Sequence, residues 1–252
     1  MPTIPLISSE TQVRLLLTAE RLFAQEGVDA ISARRIAQEA GQRNISAAAY
    51  HFGSKDQLID ALLAMRMQAI NARREQLLET LPTGATLRDW LQTIVAPLLE
   101  QLADPDSHFV GCVEQLYSRV RGFRLYANLS ADLTTGLDRA SAGLMRMLAH
   151  LPHGIREIRL RLMAAQIMHS GADWYYLRER GEVLPPLDEL IAALVDFTAA
   201  GLLAPVSTPK KKTGRSSARI KAPESTGRAT VKKSSKASAS TKASTAARGK
   251  SS

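Results

Sequence analysis

Apolar residues in the first 206 positions recur at intervals of three and four, and no long stretch alternates with a period of two. That spacing puts them on single faces of helices, and the β-branched runs that a sheet needs are missing. The first helix is predicted over about 10–26. Ser9 and Gln12 have capping-box spacing, Val13, Leu16, Ala19 and Phe23 form a stripe, and Gly27 stops it. Ser32 then caps a short helix over 33–40, with Gly41 just past its end. A second short helix runs from about Ser46 to Gly53. Ser54 with Gln57 opens a long helix to about Leu78, whose buried face is marked by Leu58, Ile59, Leu62, Met65 and Ala69. Pro82 and Gly84 break the chain. Further helices are predicted at 86–103, kinked by Pro97, and at 107–121, 130–149, 153–180 and 186–203. The fold class is therefore all-α, with about nine helices.

Two short helices joined by a glycine turn, behind a longer one, make a helix-turn-helix, whose second member enters the major groove. The segment Ser32–Lys55 has the parts. Ile36, Ala37 and Ala40 allow a close helix crossing, Gly41 allows the turn, and the second helix carries small residues that let its backbone approach DNA. Four bases (Arg34, Arg35, Arg43, Lys55) face one acid, Glu39, within this segment. Ser32, at a helix start, has a hydroxyl and exposed N–H groups for a phosphate.

Charge divides the chain in two. Residues 207–252 hold 13 Lys or Arg against the single acid Glu224, whereas residues 1–206 hold 20 bases and 23 acids. The tail is Ser, Thr, Ala, Gly and Lys with almost no large apolar residue, so disorder is expected, and its charge suits DNA phosphate through counterion release. Three parts result: 1–55 a helix-turn-helix domain, 56–206 a helical domain, 207–252 a basic tail.

Chemistry is excluded by what the sequence lacks. No GxxxxGK[ST], HExxH, GxSxG or CxxC occurs, and one cysteine rules out an internal disulfide or an all-cysteine zinc site. No enzyme activity, cofactor or metal is expected. No run approaches the ~18–20 apolar residues of a membrane span, and MPTIPLISSETQVR lacks the basic start and apolar run of a signal peptide, so a cytoplasmic protein without a membrane partner is expected.

Residues 11–63 resemble the DNA-binding domain of the TetR family of bacterial regulators. The likeness lies in AERLFAQEGVDAIS, in the IAQEAG turn, and in the junction YHFGSKDQL at 50–58. Gly41 to Phe52 is eleven residues, one longer than the usual pattern, and GQRN before YHFGSK resembles a variant of the family. The extra residue leaves open which of Ala47, Ala48 and Ala49 faces the bases. The resemblance implies phosphate contacts by Tyr50 and Lys55, to which Ser32, Arg34, Arg43 and Asn44 are added; Ser46, Ala47 and His51 are the candidates for base edges. It also implies a ligand-responsive regulator, by family tendency a repressor, binding a palindromic operator as a homodimer. One short recognition helix reads only a few base pairs, so two half-sites are needed in any case.

By the same resemblance, helices 153–180 and 186–203 form the dimer bundle, with Ile158, Leu162, Leu190, Leu194 and Phe197 as interface candidates. The middle helices enclose a pocket for a small hydrophobic or aromatic effector, with Trp90, His108, Phe109, Cys112, Leu116, Met145, His169 and Trp174 as candidate lining. The alternative is a nucleoid-associated protein in which the basic tail dominates DNA binding.

Overall fold

The computed structural model describes residues 9–120 and 128–206. They form nine helices: α1 (Glu10–Glu26), α2 (Ala33–Glu39), α3 (Ala47–Phe52), α4 (Lys55–Glu79), α5 (Leu87–Leu99), α6 (Phe109–Val120), α7 (Ala131–Met147), α8 (His153–Glu179) and α9 (Leu187–Leu203). Among the described residues there is no strand. The basic tail expected over 207–252 lies outside them.

Local chemistry sets the helix ends. The capping boxes of Ser9 with Gln12 and Ser54 with Gln57 both form, and Thr86 with Asp89 makes a third. Ser32 caps α2 by accepting the Arg35 N–H at 3.2 Å. Ser46 precedes α3 without capping it through its side chain; instead Asn44 Oδ1 accepts the Ser46 N–H at 2.9 Å and shapes the turn.

Pro97 lies inside α5, which continues to Leu99 and then tightens into a 3₁₀ turn over Glu100–Ala103. Proline has no N–H, so the Thr93 carbonyl four residues earlier loses its helical partner. Arg74, buried on α4, donates its Nε–H to that carbonyl at 3.0 Å. Two other arginines serve carbonyls at helix ends and the turns that follow them. Arg178 donates to Leu102, Asp104 and Ser107, and Arg159 donates to Leu202, Ala204 and Pro205.

Helices α1 to α9 belong to one compact unit, with no division between the helix-turn-helix and the remaining helices. α1 packs on α6 and α4, α4 on α7, α5 on α7 and α9, and α6 on α8. α4 runs unbroken across the expected boundary at 55/56, buried first against α1 and α3 and then against α5 and α7. α5 and α7 approach closely because Gly143 leaves no room for a β-carbon against the ring of Trp90.

Candidate nucleic-acid interface and ligand cavity

Gly41 ends α2 at φ 69°, in the left-handed region that a side chain disfavours, and so turns the chain from α2 toward α3. α3 then faces inward with Ala47, Ala48 and Phe52, each no more than 6% exposed. Its outward side carries Ala49 and Tyr50, the latter 82% exposed, with His51 half-buried at the edge. Before it, Arg43, Asn44, Ile45 and Ser46 stand in solvent, as do Ser32 and Arg34 at the start of α2.

Two expectations for this surface need correction. Ala47 does not face outward; it is core, and Ala49 is the exposed alanine of α3. Lys55 turns inward: its Nζ donates to the Val28 carbonyl and sits 5.7 Å from the Phe23 ring centroid. Burial, with Arg119 nearby, lowers its pKa. Asn44 is exposed and its Oδ1 is occupied in the turn, so a phosphate would be met by its amide N–H groups. Arg35 is held by Glu26 through two hydrogen bonds of 2.6 and 2.7 Å, which raise its pKa. Arg34 and Arg43 thus remain as the outward cations of segment 32–55.

Beyond this surface lies a cavity of about 720 Å³ among α4 to α8. Its walls are mostly aliphatic and thioether groups, including Met67, Ile94, Leu98, Met163 and Ile167. One face of α7, with the Ser130 that precedes it, supplies a polar stripe of Ser130, Thr134, Asp138 and Ser141. Tyr117 of α6 is the one aromatic among the described lining residues, and Arg74 the one base. Among the described residues no group of His, Cys, Asp and Glu is arranged to hold a metal, and no helix is long and apolar enough to cross a membrane.

Residues 15–62 match the family described as bacterial regulatory proteins, tetR family. This segment is similar to a TetR-family domain. No curated protein matches the chain. Among solved structures, the probable transcriptional regulatory protein RHA5900 is similar over 77% of this chain and 100% of its own, at 20% identity and a TM-score of 0.51, which shows a shared fold. AmtR of Mycobacterium smegmatis covers 79% of this chain and 89% of its own, at 20% identity and a TM-score of 0.49.

Helices α6 and α8 tie the TetR-family domain to the cavity region. Tyr176 donates its hydroxyl proton to the Ala24 carbonyl at 3.0 Å and accepts from Gln115 Nε2 at 3.2 Å. Arg119 lies 3.2 Å from Asp29 and 3.7 Å from Asp56. It stands two residues beyond Tyr117 of the cavity wall. Asn128 Nδ2 donates to both oxygens of Asp60, whose pKa burial nonetheless raises.

Of the expected pocket residues, Met145 alone lines the cavity. Trp90 packs on Gly143 with Arg146 above its ring at 5.5 Å. Phe109, Cys112 and Leu116 are fully buried core, and burial pushes the Cys112 thiol well up. His108 Nδ1 and the Tyr175 hydroxyl share a hydrogen bond of 2.7 Å away from the cavity. His169 is exposed on α8, and Trp174 is half-buried against the core. The cavity's polar stripe was missed, although Ser130, Thr134, Asp138 and Ser141 have helical spacing in the sequence.

The dimer candidates divide. Ile158, Leu162 and Phe197 are 56%, 64% and 69% exposed, forming an apolar face on adjoining helices α8 and α9. Leu194 is buried, and Leu190 packs against the subunit's own core, because α9 turns that side toward α5.

Proposed function

We propose that this protein is a sequence-specific, ligand-responsive transcriptional regulator that binds a palindromic operator as a homodimer and represses from it. The observation that carries the reading is the outward surface of the TetR-family domain, where Arg43, Ser46, Ala49 and Tyr50 lie together on α3 and its leading turn. In this reading Tyr50, Arg34, Arg43 and the O–H of Ser32 bond phosphates. Ser46 and His51 meet base edges, and Ala49 offers a methyl to a thymine. The exposed face of Ile158, Leu162 and Phe197 supports a two-fold partner, since three large apolar side chains in solvent on neighbouring helices favour burial. The cavity supports a small effector. Arg119, Gln115 and Tyr176 would carry its occupancy to α1 and α4, shifting the population between DNA-competent and released dimers.

The test is anisotropy with a labelled duplex carrying the site enriched from a random pool. Tyr50→Phe should weaken binding several-fold on every duplex, whereas His51→Ala should relax preference at one or two positions of each half-site. Unchanged binding in both variants contradicts the assignment of this surface. The second reading, a nucleoid-associated protein, is favoured by one fact: 13 of 33 basic residues lie in the last 46 positions. It predicts binding that is indifferent to duplex sequence.

A further inference from the structure

We infer that Ile45 reads the 5-methyl group of a thymine in each half-site, so that one position of the operator is selected by apolar contact rather than by hydrogen bonding. The inference rests on the sequence-specific reading above and names the base chemistry that one residue of the same surface recognises.

Segment 32–55 is described throughout, and its large apolar side chains are Ile36, Ile45, Tyr50 and Phe52. Ile36 and Phe52 are core, and Tyr50 has a hydroxyl to offer water. Ile45 is 42% exposed and has no polar side-chain atom. Its neighbours Arg43, Asn44 and Ser46 are exposed as well, so it stands among the polar groups assigned above to phosphates and bases. Ala47, Ala48 and Phe52 already supply the inward packing of α3, which leaves Ile45 to the outer side.

Its place is rigid. The Asn44 carbonyl accepts the Ala47 N–H at 3.0 Å, and Asn44 Oδ1 accepts the Ser46 N–H at 2.9 Å. Ser46, at φ −92° and ψ 3°, has the conformation of the third residue of a type I turn, which makes Ile45 the corner residue before it. Branching at Cβ restricts its χ1, so little freedom is lost when a partner covers it.

The chemistry of the duplex selects that partner. An aliphatic side chain laid on a phosphate strips water from a charge and gives no donor in return. Base edges in the major groove present donors and acceptors, and the thymine methyl is the one apolar group among them. Contact between that methyl and Ile45 removes apolar surface of both from water. Deoxyribose also offers carbon, but it occurs at every nucleotide and carries no sequence information.

The experiment is anisotropy of the full chain on the duplex enriched from the random pool. Each thymine is replaced in turn, in both half-sites at once, by deoxyuridine, which keeps every hydrogen-bonding group and lacks the methyl. At one position the replacement should weaken binding about four-fold per half-site, the factor for one buried methyl group. Cytosine there should bind weakly, and 5-methylcytosine should recover several-fold. Ile45→Val should keep this methyl preference and Ile45→Ser should lose it, both melting near the wild type because the side chain lies outside the core. A thymine preference unchanged in Ile45→Ser overturns the inference, as does indifference to deoxyuridine at every position. Equal weakening of thymine and deoxyuridine duplexes by Ile45→Ser also overturns it and marks a sugar contact instead. In each of these cases the enriched site leaves the sequence-specific reading standing, whereas a pool that yields no site defeats both.

Discussion

Glu20 is 1% exposed, and it is tolerated there because three donors surround it. Arg66 gives two hydrogen bonds of 2.7 Å, and the His108 backbone N–H gives a third at 3.0 Å. Removing one partner strands the other, so Glu20→Ala should cost about 3–5 kcal/mol in urea unfolding. An unchanged midpoint would show that the pair is dispensable. Burial lowers the pKa of His108 itself, against the opposing pull of Glu179 and Glu20. As pH falls, the unfolded chain takes up this proton first, so the group contributes nothing above its ordinary value and a growing penalty below it. His108→Gln removes that penalty. The loss of stability between about pH 7.5 and 5.5 should therefore be smaller in the variant than in the wild type, measured as the shift in urea midpoint. An equal loss in both would place the acid sensitivity elsewhere.

At the scale of elements, the α5–α7 contact is set by one residue. Gly143 admits the Trp90 ring where a β-carbon would collide, so Gly143→Ala should cost about 1–3 kcal/mol, and Trp90→Leu in the same chain should recover part of it. Thermal melts of the single and double variants read this directly. The helices themselves were legible in the sequence, because capping boxes at Ser9 and Ser54 and stripes at three and four are local signals. What a helix faces is not local. Trp90, Phe109 and Cys112 drew attention as uncommon residue types, yet Phe109 and Cys112 fill core and Trp90, half-buried, packs on Gly143. The cavity face of α7 is written in common residues whose role depends on which helices close around them. The inward turn of Lys55 has the same origin, since its acceptor, the Val28 carbonyl, lies 27 positions away. Arg74 shows a further kind of case: its partner carbonyl is set free by Pro97, which the sequence displays, but the pairing of the two requires α4 beside α5.

Over the whole molecule, two features of opposite character serve one proposed function. The TetR-family domain presents few outward cations, Arg34 and Arg43 among them, whereas the sequence beyond residue 206 is strongly basic. Specific contacts on α3 would choose the site, and added positive charge would raise affinity for any duplex and steepen its salt dependence. The measurement that tests this most directly is enrichment from a random duplex pool at near-physiological salt, with the full chain and with residues 1–206 in parallel. The account predicts that both enrich the same two-fold-symmetric site, the full chain binding more tightly and with the steeper salt slope. Enrichment of no site by residues 1–206, with the full chain binding all duplexes alike, would contradict it.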